Sequence, residues 1–347
     1  MTTKEMAELI GVSRITLSKY LNGKGGISKK SAQRIDSYIQ KYNFTPNTHA
    51  RSLAGKKERI ISFISTFSGV SDGVSRINSH FATMFTNYIL AEAKKFDYKV
   101  LVSITDMVHA RSEIEQLFSS SLIRGAILFG LETGSKELVS LYERKFPLVL
   151  VNQEESVPES HVSLVNMDDE SCAAFAVQHL FESGHRRFMY IGSSVKRLPA
   201  LRRARGVNKA FEMYAGQGVS CIFGNADFKE DLAYAYVHDV YSKQGVLPTA
   251  IIAANDLMAI GAMHALKDLG FNVPDDVSVI GFDDISISGY LSPPLTTFKI
   301  DYQLMAEQTM KQLVSLIDQT HEATDVEIPL EFVKRASDGP SVECEYS

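Results

Sequence analysis

The sequence predicts two α/β lobes, each a doubly wound parallel sheet, preceded by a small all-α head. Three observations lead there. From Arg59 onward, short apolar runs alternate strictly with amphipathic helical stretches, the pattern of a parallel sheet with helices on both faces. The alternation runs through two successive series, which makes two lobes. Ahead of them, residues 1–57 hold eleven Lys or Arg against three Asp or Glu. Subtracted from chain totals of 36 basic and 41 acidic residues, this leaves 25 and 38 in the remainder. A head of charge +8 on a body of charge −13 suggests a polyanion-binding unit on an acidic carrier.

The rest of the composition mainly excludes. With 347 residues, 45% hydrophobic and 22% charged, the chain has the make-up of a multidomain globular protein. Its longest apolar runs, such as 125–131 and 147–151, are far too short to span a bilayer. The opening MTTKEMAELI has charges within its first five residues and no apolar signal core, so a cytoplasmic location is expected. Cys172, Cys221 and Cys344 are too widely spaced for a disulfide framework or a metal-ligand pattern. There is no GxxxxGK phosphate loop and no nucleophile elbow, and His185 in SGHRR reads as a helix-end cap. Neither catalysis nor a cofactor or metal is expected.

In the head, residues 3–22 read TKEMAELIGVSRITLSKYLN. Thr2 or Thr3 caps a helix whose Met6, Ala7 and Ile10 share one face. Gly11 ends it, because glycine accepts the left-handed conformation at little cost. Ser13 caps a second helix with Leu17, Tyr20 and Leu21 inward. Two helices joined by a short glycine-containing turn make a helix-turn-helix. Its second helix then offers Arg14, Ile15, Ser18 and Lys19 to base edges in a major groove. Ser13, Thr16, Asn22, Ser28, Lys29 and Lys30 are placed for phosphates. A third helix, 29–42, packs Ile35, Tyr38 and Ile39 onto the pair, and Pro46 follows its end. Next comes NTHARSLAGKK, 47–57, too short and too poor in apolar surface to be a stable helix alone.

Through the body, strands are expected at 60–64, 99–104, 125–130 and 148–152, with helices at 81–96, 113–121 and near 136–145. The second series begins with a helix at 169–183 and a strand at 187–192. A helix at 203–215, a strand near 220–223, a helix at 229–243 and a strand at 249–254 follow. A helix at 256–270 and a strand at 277–284 close it. Open sheets of this type bind ligands beyond the carboxyl ends of their strands, so the space between the lobes is the expected site.

GVS, LSKYLNG, the Pro46-Asn47 pair and ARSLAGKK together resemble the lactose-repressor/galactose-repressor family of bacterial transcription regulators. The resemblance continues through FESGHRRFMYIG, LRRARGVNKAF, AIIAANDLMAIGAMHALKDLGFNVPDDVSVIGFDD, PPLTTFKID and IPLEFVKRAS, and covers nearly the whole chain. It implies a DNA-binding head at 1–46 and a hinge helix at 47–57 that orders on DNA. Asn47 would then meet a phosphate, Ala50 its symmetry mate, and Arg51 and Leu53 the minor groove, where Leu53 wedges into a base step. It also implies a periplasmic-binding-protein-like effector and dimerisation body at 58–337. The first lobe would be 58–164 and 293–322, the second 165–292 and 323–337, with a flexible tail at 338–347. The implied partners are a near-palindromic double-stranded operator, a second copy of the chain, and a small effector of carbohydrate type.

By position in those motifs, Arg203, Asn255 and Asp283 match effector contacts on the second lobe, with Asn152, His80 and Phe81 offered by the first. A carboxylate accepts two hydroxyl hydrogen bonds and an arginine donates several from a fixed fork. Other readings stand beside these: Asn255-Asp256 as a helix cap, Asp283-Asp284 as a turn, and Arg203 as a surface salt-bridge partner among Arg202 and Arg205. Ile300 and the segment 68–78, with Asp72 and Arg76, depart from the expected pattern. The expected function is an effector-controlled repressor; the alternative is a sugar-binding module without DNA-directed function.

Overall fold

The structure, a computed structural model of the chain, describes residues 3–21, 26–42, 59–67, 80–132, 141, 144–154, 161–194, 196–243, 247–320 and 323–341. The chain divides into two units, Met1–Arg59 and Ile60–Ser347.

The first unit holds α1 (Thr3–Ile10), α2 (Arg14–Leu21) and α3 (Lys29–Lys41). Met6, Ala7, Ile10, Leu17 and Ile35 are its fully buried core, with Val12 and Tyr20 packed at the edge. Gly11 turns the chain at φ +70°, a conformation that side chains with a Cβ resist. The Arg34 guanidinium donates to the Gly11 carbonyl at 2.7 Å, tying the turn to α3. The expected Ser13 cap forms, its Oγ accepting from the Thr16 N–H at 3.0 Å, and Ser28 Oγ caps α3 from the Ser31 N–H at 3.2 Å, whereas Thr3 lies within α1 and Thr2 outside the described residues.

The second unit has two six-stranded sheets. The first lobe runs β1 (Ile60–Phe67), α4 (His80–Lys95), β2 (Lys99–Asp106), α5 (Met107–Ser119), β3 (Ala126–Phe129), β4 (Leu148–Val151) and β5 (Val162–Met167). The second runs α6 (Asp169–Glu182), β6 (Arg187–Gly192), α7 (Leu198–Met213), β7 (Ser220–Asn225), α8 (Glu230–Tyr241), β8 (Ala250–Ala253), α9 (Asp256–Asp268), β9 (Ser278–Asp283) and β10 (Thr296–Ile300). The chain then returns through α10 (Tyr302–Asp318) and β11 (Asp325–Ile328) to end in β12 (Leu330–Val333). The orders are β11-β5-β4-β3-β1-β2 and β12-β10-β9-β8-β6-β7, parallel except where β12 runs against β10. Among the described helices, none is long and apolar enough to cross a membrane.

The lobe boundaries differ from the expected ones. The first sheet keeps the chain through Met167 rather than 164, because β5 pairs with β4 along Val162–Val165. The second sheet keeps β10, so the return crossing falls at Asp301 rather than near 292. What reads as one terminal strand, IPLEFV, is two strands of different sheets, parted at Pro329, whose missing N–H suits a break in the ladder. Helix α10 buries Met305, Met310 and Leu313 in the first-lobe core with Phe63 and Phe85. Helix α5 starts six residues before the expected 113, because the Asp106 carboxylate caps it through the His109 N–H at 3.0 Å.

The tail expected from residue 338 is held through Ser341. Asp338 is buried against His179, Lys334 and Thr296, and the Ser341 N–H donates to the Ser183 carbonyl at 2.8 Å. A buried carboxylate persists only with such partners. The hinge at 47–57, with Asn47, Ala50, Arg51 and Leu53, lies outside the described residues, as do Asn22 and the 68–78 segment. The helix expected near 136–145 lies almost wholly outside them too.

Candidate DNA-binding and effector sites

The outward face of α2 carries the four residues expected at base edges. Arg14 and Lys19 are exposed and Ser18 is half-buried. Ile15 is 70% exposed, an apolar side chain placed where burial cannot be the reason for it. Ser13 and Thr16 sit at the N-terminus of the same helix and share a hydroxyl hydrogen bond at 2.8 Å. Ser28 and Lys30, at the start of α3, are exposed as well.

Between the lobes lies a cavity of about 560 Å3, walled by His80 from α4, Asp283 from the end of β9, and Lys299, Ile300 and Tyr302 from the return crossing. Asp283 has φ +106°, a backbone strain that the surrounding structure must hold in place. Behind it stands Arg203 on α7, only 2% exposed. Its Nε donates to Asp169 Oδ1 at 2.7 Å, and its Nη1 reaches Asp283 Oδ1 at 3.6 Å and the Ala254 carbonyl. The guanidinium lies 4.6 Å over the Phe282 ring. Arg203 is thus a salt-bridge partner, but a buried one rather than the surface pair its arginine neighbours suggest: it is a strut beneath Asp283. Burial opposes its charge, but the carboxylates of Asp169 and Asp283 outweigh this and raise its pKa. Burial pushes the Asp283 carboxyl up to about 7, against the pull of Arg203.

Asn255 next to Ala254 caps α9, its Oδ1 accepting from the Met258 N–H at 2.9 Å. Asp256 does something else. Fully buried, it accepts from the Ile285 N–H at 2.9 Å and the Ser288 and Thr297 hydroxyls. His80 shares the cavity with Asp283, whereas Phe81 stands behind it, stacked on Phe129 at 4.9 Å and edge-on to Tyr302 at 5.4 Å. Asn152, at the end of β4 with φ +58°, is buried and does not wall this cavity.

Residues 2–47 match the description "Bacterial regulatory proteins, lacI family", and residues 177–337 match a periplasmic binding protein-like domain. The chain joins a DNA-binding domain of the lacI family to a periplasmic-binding-protein-like domain, the pairing found in lacI-family repressors. It is a DNA-binding transcription regulator. Among similar lacI-family proteins, the lactose operon repressor of Escherichia coli K12 is 25% identical over 338 residues, covering 96% of this chain and 90% of its own. The transcriptional regulator CelR of Thermobifida fusca is 25% identical over 327 residues, covering 93% of each. The fold is that of a lac repressor dimer solved with operator and the anti-inducer ONPF. The match has TM-score 0.85 and 23% identity, covering 97% of this chain and 98% of the other. These relatives are regulators rather than enzymes.

Three residues of this periplasmic-binding-protein-like body escape a reading of the sequence. Asp169, which takes the shorter contact to Arg203, looks like one of two acidic helix-start residues. Tyr302 follows the return crossing; its phenol oxygen is buried with no hydrogen-bond partner among the described residues, a state that demands explanation in a native site. Phe228, beyond the end of β7, has φ +62° beside Asp227 at +47°. Asp227 holds that turn by accepting from Ser193 Oγ at 3.0 Å and the Ser194 N–H at 2.8 Å. Only Tyr302 left a trace in sequence, as a lone aromatic directly after FKID.

Proposed function

We propose that this regulator is a repressor that binds a near-palindromic operator as a homodimer in the cytoplasm, under control of a carbohydrate-type effector between the lobes. It catalyses nothing. Arg14, Ile15, Ser18 and Lys19 read bases, while Ser13, Thr16, Asn22, Ser28, Lys30 and Asn47 hold phosphates. Ala50, Arg51 and Leu53 engage the minor groove. In the body Asp283 accepts effector hydroxyls beside His80, with Phe81 and Arg203 positioning the groups in contact, while Asn255 and Asn152 stand off that wall. The observation that carries the effector reading is Asp283 itself, a strained carboxylate braced by a buried arginine at a cavity wall.

Dimerisation draws support from the sheet edges. Strands β2 and β7 are outermost in their sheets, and β2 leaves Leu101, Val102 and Ile104 exposed while β7 leaves Ile222 and Phe223 exposed. Unpaired edges with large apolar side chains call for a cover. A second copy related by a two-fold axis supplies one and matches a palindromic site. Ligand then acts by population shift, closing the cleft and turning the first lobes, so that ligand and operator affinities are coupled reciprocally.

Selection of bound sequences from a random duplex pool, with purified ligand-free protein, tests the reading. Enrichment of a palindrome with a deformable central step is expected, and sugars are then screened by loss of binding. Enrichment of no sequence, with or without candidate sugars, refutes it.

A further inference from the structure

Resting on the reading of the inter-lobe cavity as the effector site, we propose that the effector carries an ammonium group. It is an amino sugar or similarly amine-bearing polyol, not a sugar phosphate or a sugar acid. The first ground is charge. Among the described residues walling the cavity are four carboxylates, Asp283, Asp284, Asp301 and Glu331, and one ammonium, Lys299. Three of the four carboxylates are served elsewhere. Asp284 accepts from Arg335 at 2.6 Å, Glu331 lies 3.6 Å from Lys299, and Asp301 caps α10 through the Leu304 N–H at 2.8 Å.

Among the described residues Asp283 has an ion pair with Arg203 alone, and that guanidinium stands nearer Asp169, at 2.7 against 3.6 Å. Two carboxylates thus share one buried cation. Asp283 is left under-compensated, which agrees with burial raising its carboxyl to about 7. A part-buried carboxylate with so little compensation at a cavity wall favours a cationic partner.

The second ground is an orphaned phenol. The Tyr302 oxygen is buried and has no hydrogen-bond partner among the described residues. Tyr302 stands on the same cavity wall as Asp283. An ammonium has three donors and no acceptor, enough to reach Asp283 and a phenol oxygen together. The third ground is aromatic: Tyr88 lies parallel to Tyr302 at 6.2 Å, and His80 stands edge-on to it at 6.3 Å. Ring faces attract cations. A purely hydroxylated sugar satisfies the acceptors but leaves the charge, and a phosphate would face surplus carboxylate.

The test is calorimetric binding to the full chain of matched pairs: glucosamine and glucose, galactosamine and galactose, mannosamine and mannose, with glucose 6-phosphate alongside. At least one amine is expected to bind about tenfold or more tighter than its hydroxyl twin, with no phosphate binding. Asp283→Asn should bring that pair level. Asp169→Asn, which releases Arg203 to Asp283, should narrow the gap, and thermal melting confirms that both variants are folded. A neutral or phosphorylated sugar binding as tightly as the amines, and lost in Asp283→Asn, overturns the inference and leaves the cavity reading standing. Amine binding unaffected by Asp283→Asn overturns both. Silence from every pair overturns the inference.

Discussion

The Ser288 hydroxyl donates to Asp256 Oδ2 at 2.6 Å, joining the first turn of α9 to the turn Ser288–Tyr290. The other oxygen of Asp256 takes the Thr297 hydroxyl, and the Ile285 N–H completes the set at 2.9 Å. One buried carboxylate therefore fastens α9, whose cap is Asn255, to a surface turn where Tyr290 is 88% exposed. Ser288→Ala removes one donor to a charged group, a loss of about 1.5–3 kcal/mol. Urea unfolding should show it as a lower midpoint at unchanged slope; an unshifted midpoint would mean that the carboxylate finds a replacement donor.

A pH signature follows from Asp283. Its folded pKa, near 7, lies above the ordinary 3.8, so the folded state holds the proton longer than the unfolded chain. Stability from this group is full below about pH 4 and is lost as pH rises through about 7. Buried His185, with its pKa lowered by burial, pulls the opposite way, and comparison with a variant separates the two. Wild type should lose on the order of 1–4 kcal/mol more than Asp283→Asn between pH 4 and 8. Parallel melting curves for the two proteins across that range would exclude the effect.

Helices α6 and α7 meet closely at Gly206. A Cβ there would lie 2.1 Å from the Glu170 carbonyl oxygen, which belongs to backbone and cannot swing aside. Gly206→Ala should cost about 1–3 kcal/mol through this overpacking, even though alanine is the better helix former. Chemical denaturation gives the answer, and a gain in stability would show that the two helices part without penalty.

Phe223 is 49% exposed on the edge strand β7. If that edge is covered by a second copy, Phe223→Lys places an ammonium in an apolar contact and should drive the assembly toward monomer. Sedimentation at micromolar concentration reads this directly. Unchanged mass with unchanged folding would move the interface to another face.

On α2, Arg14→Ala should relax base preference at one position per half-site by about 1–3 kcal/mol, as expected for loss of a bidentate guanine contact. Lys30→Ala should weaken all sequences alike and reduce the salt slope by about one. A Lys30 variant that altered sequence preference would reverse the division of labour between the two helices.

The head was legible almost residue by residue, because its signals are local. Helix caps, a glycine turn and a three-four apolar stripe each lie within a few positions of what they specify. The alternation of the body was equally plain, yet the lobe crossings were displaced. Strand β5 keeps polar Ser163 and Asn166 buried within an otherwise apolar run, and nothing in VSLVNM says which sheet it joins. Nor does IPLEFV reveal that two sheets divide it. The cavity was legible as a place, not as an electrostatic arrangement. Arg203 and Asp283 were both singled out, but the contact that governs them comes from Asp169, 34 positions from Arg203. Pairings at such a distance leave no periodicity to read.

Strands β11 and β12 have a consequence for synthesis. Each completes a different lobe, as the outermost strand of its sheet beside β5 or β10. Both arrive only after residue 324, so neither lobe can complete its sheet while the ribosome is still upstream. The three-helix head, all within the first 42 residues, meets no such wait and is free to form early. A premature stop before Asp325 would therefore release a chain with a finished head and with β5 and β10 uncovered as new edges, ready to pair with other chains.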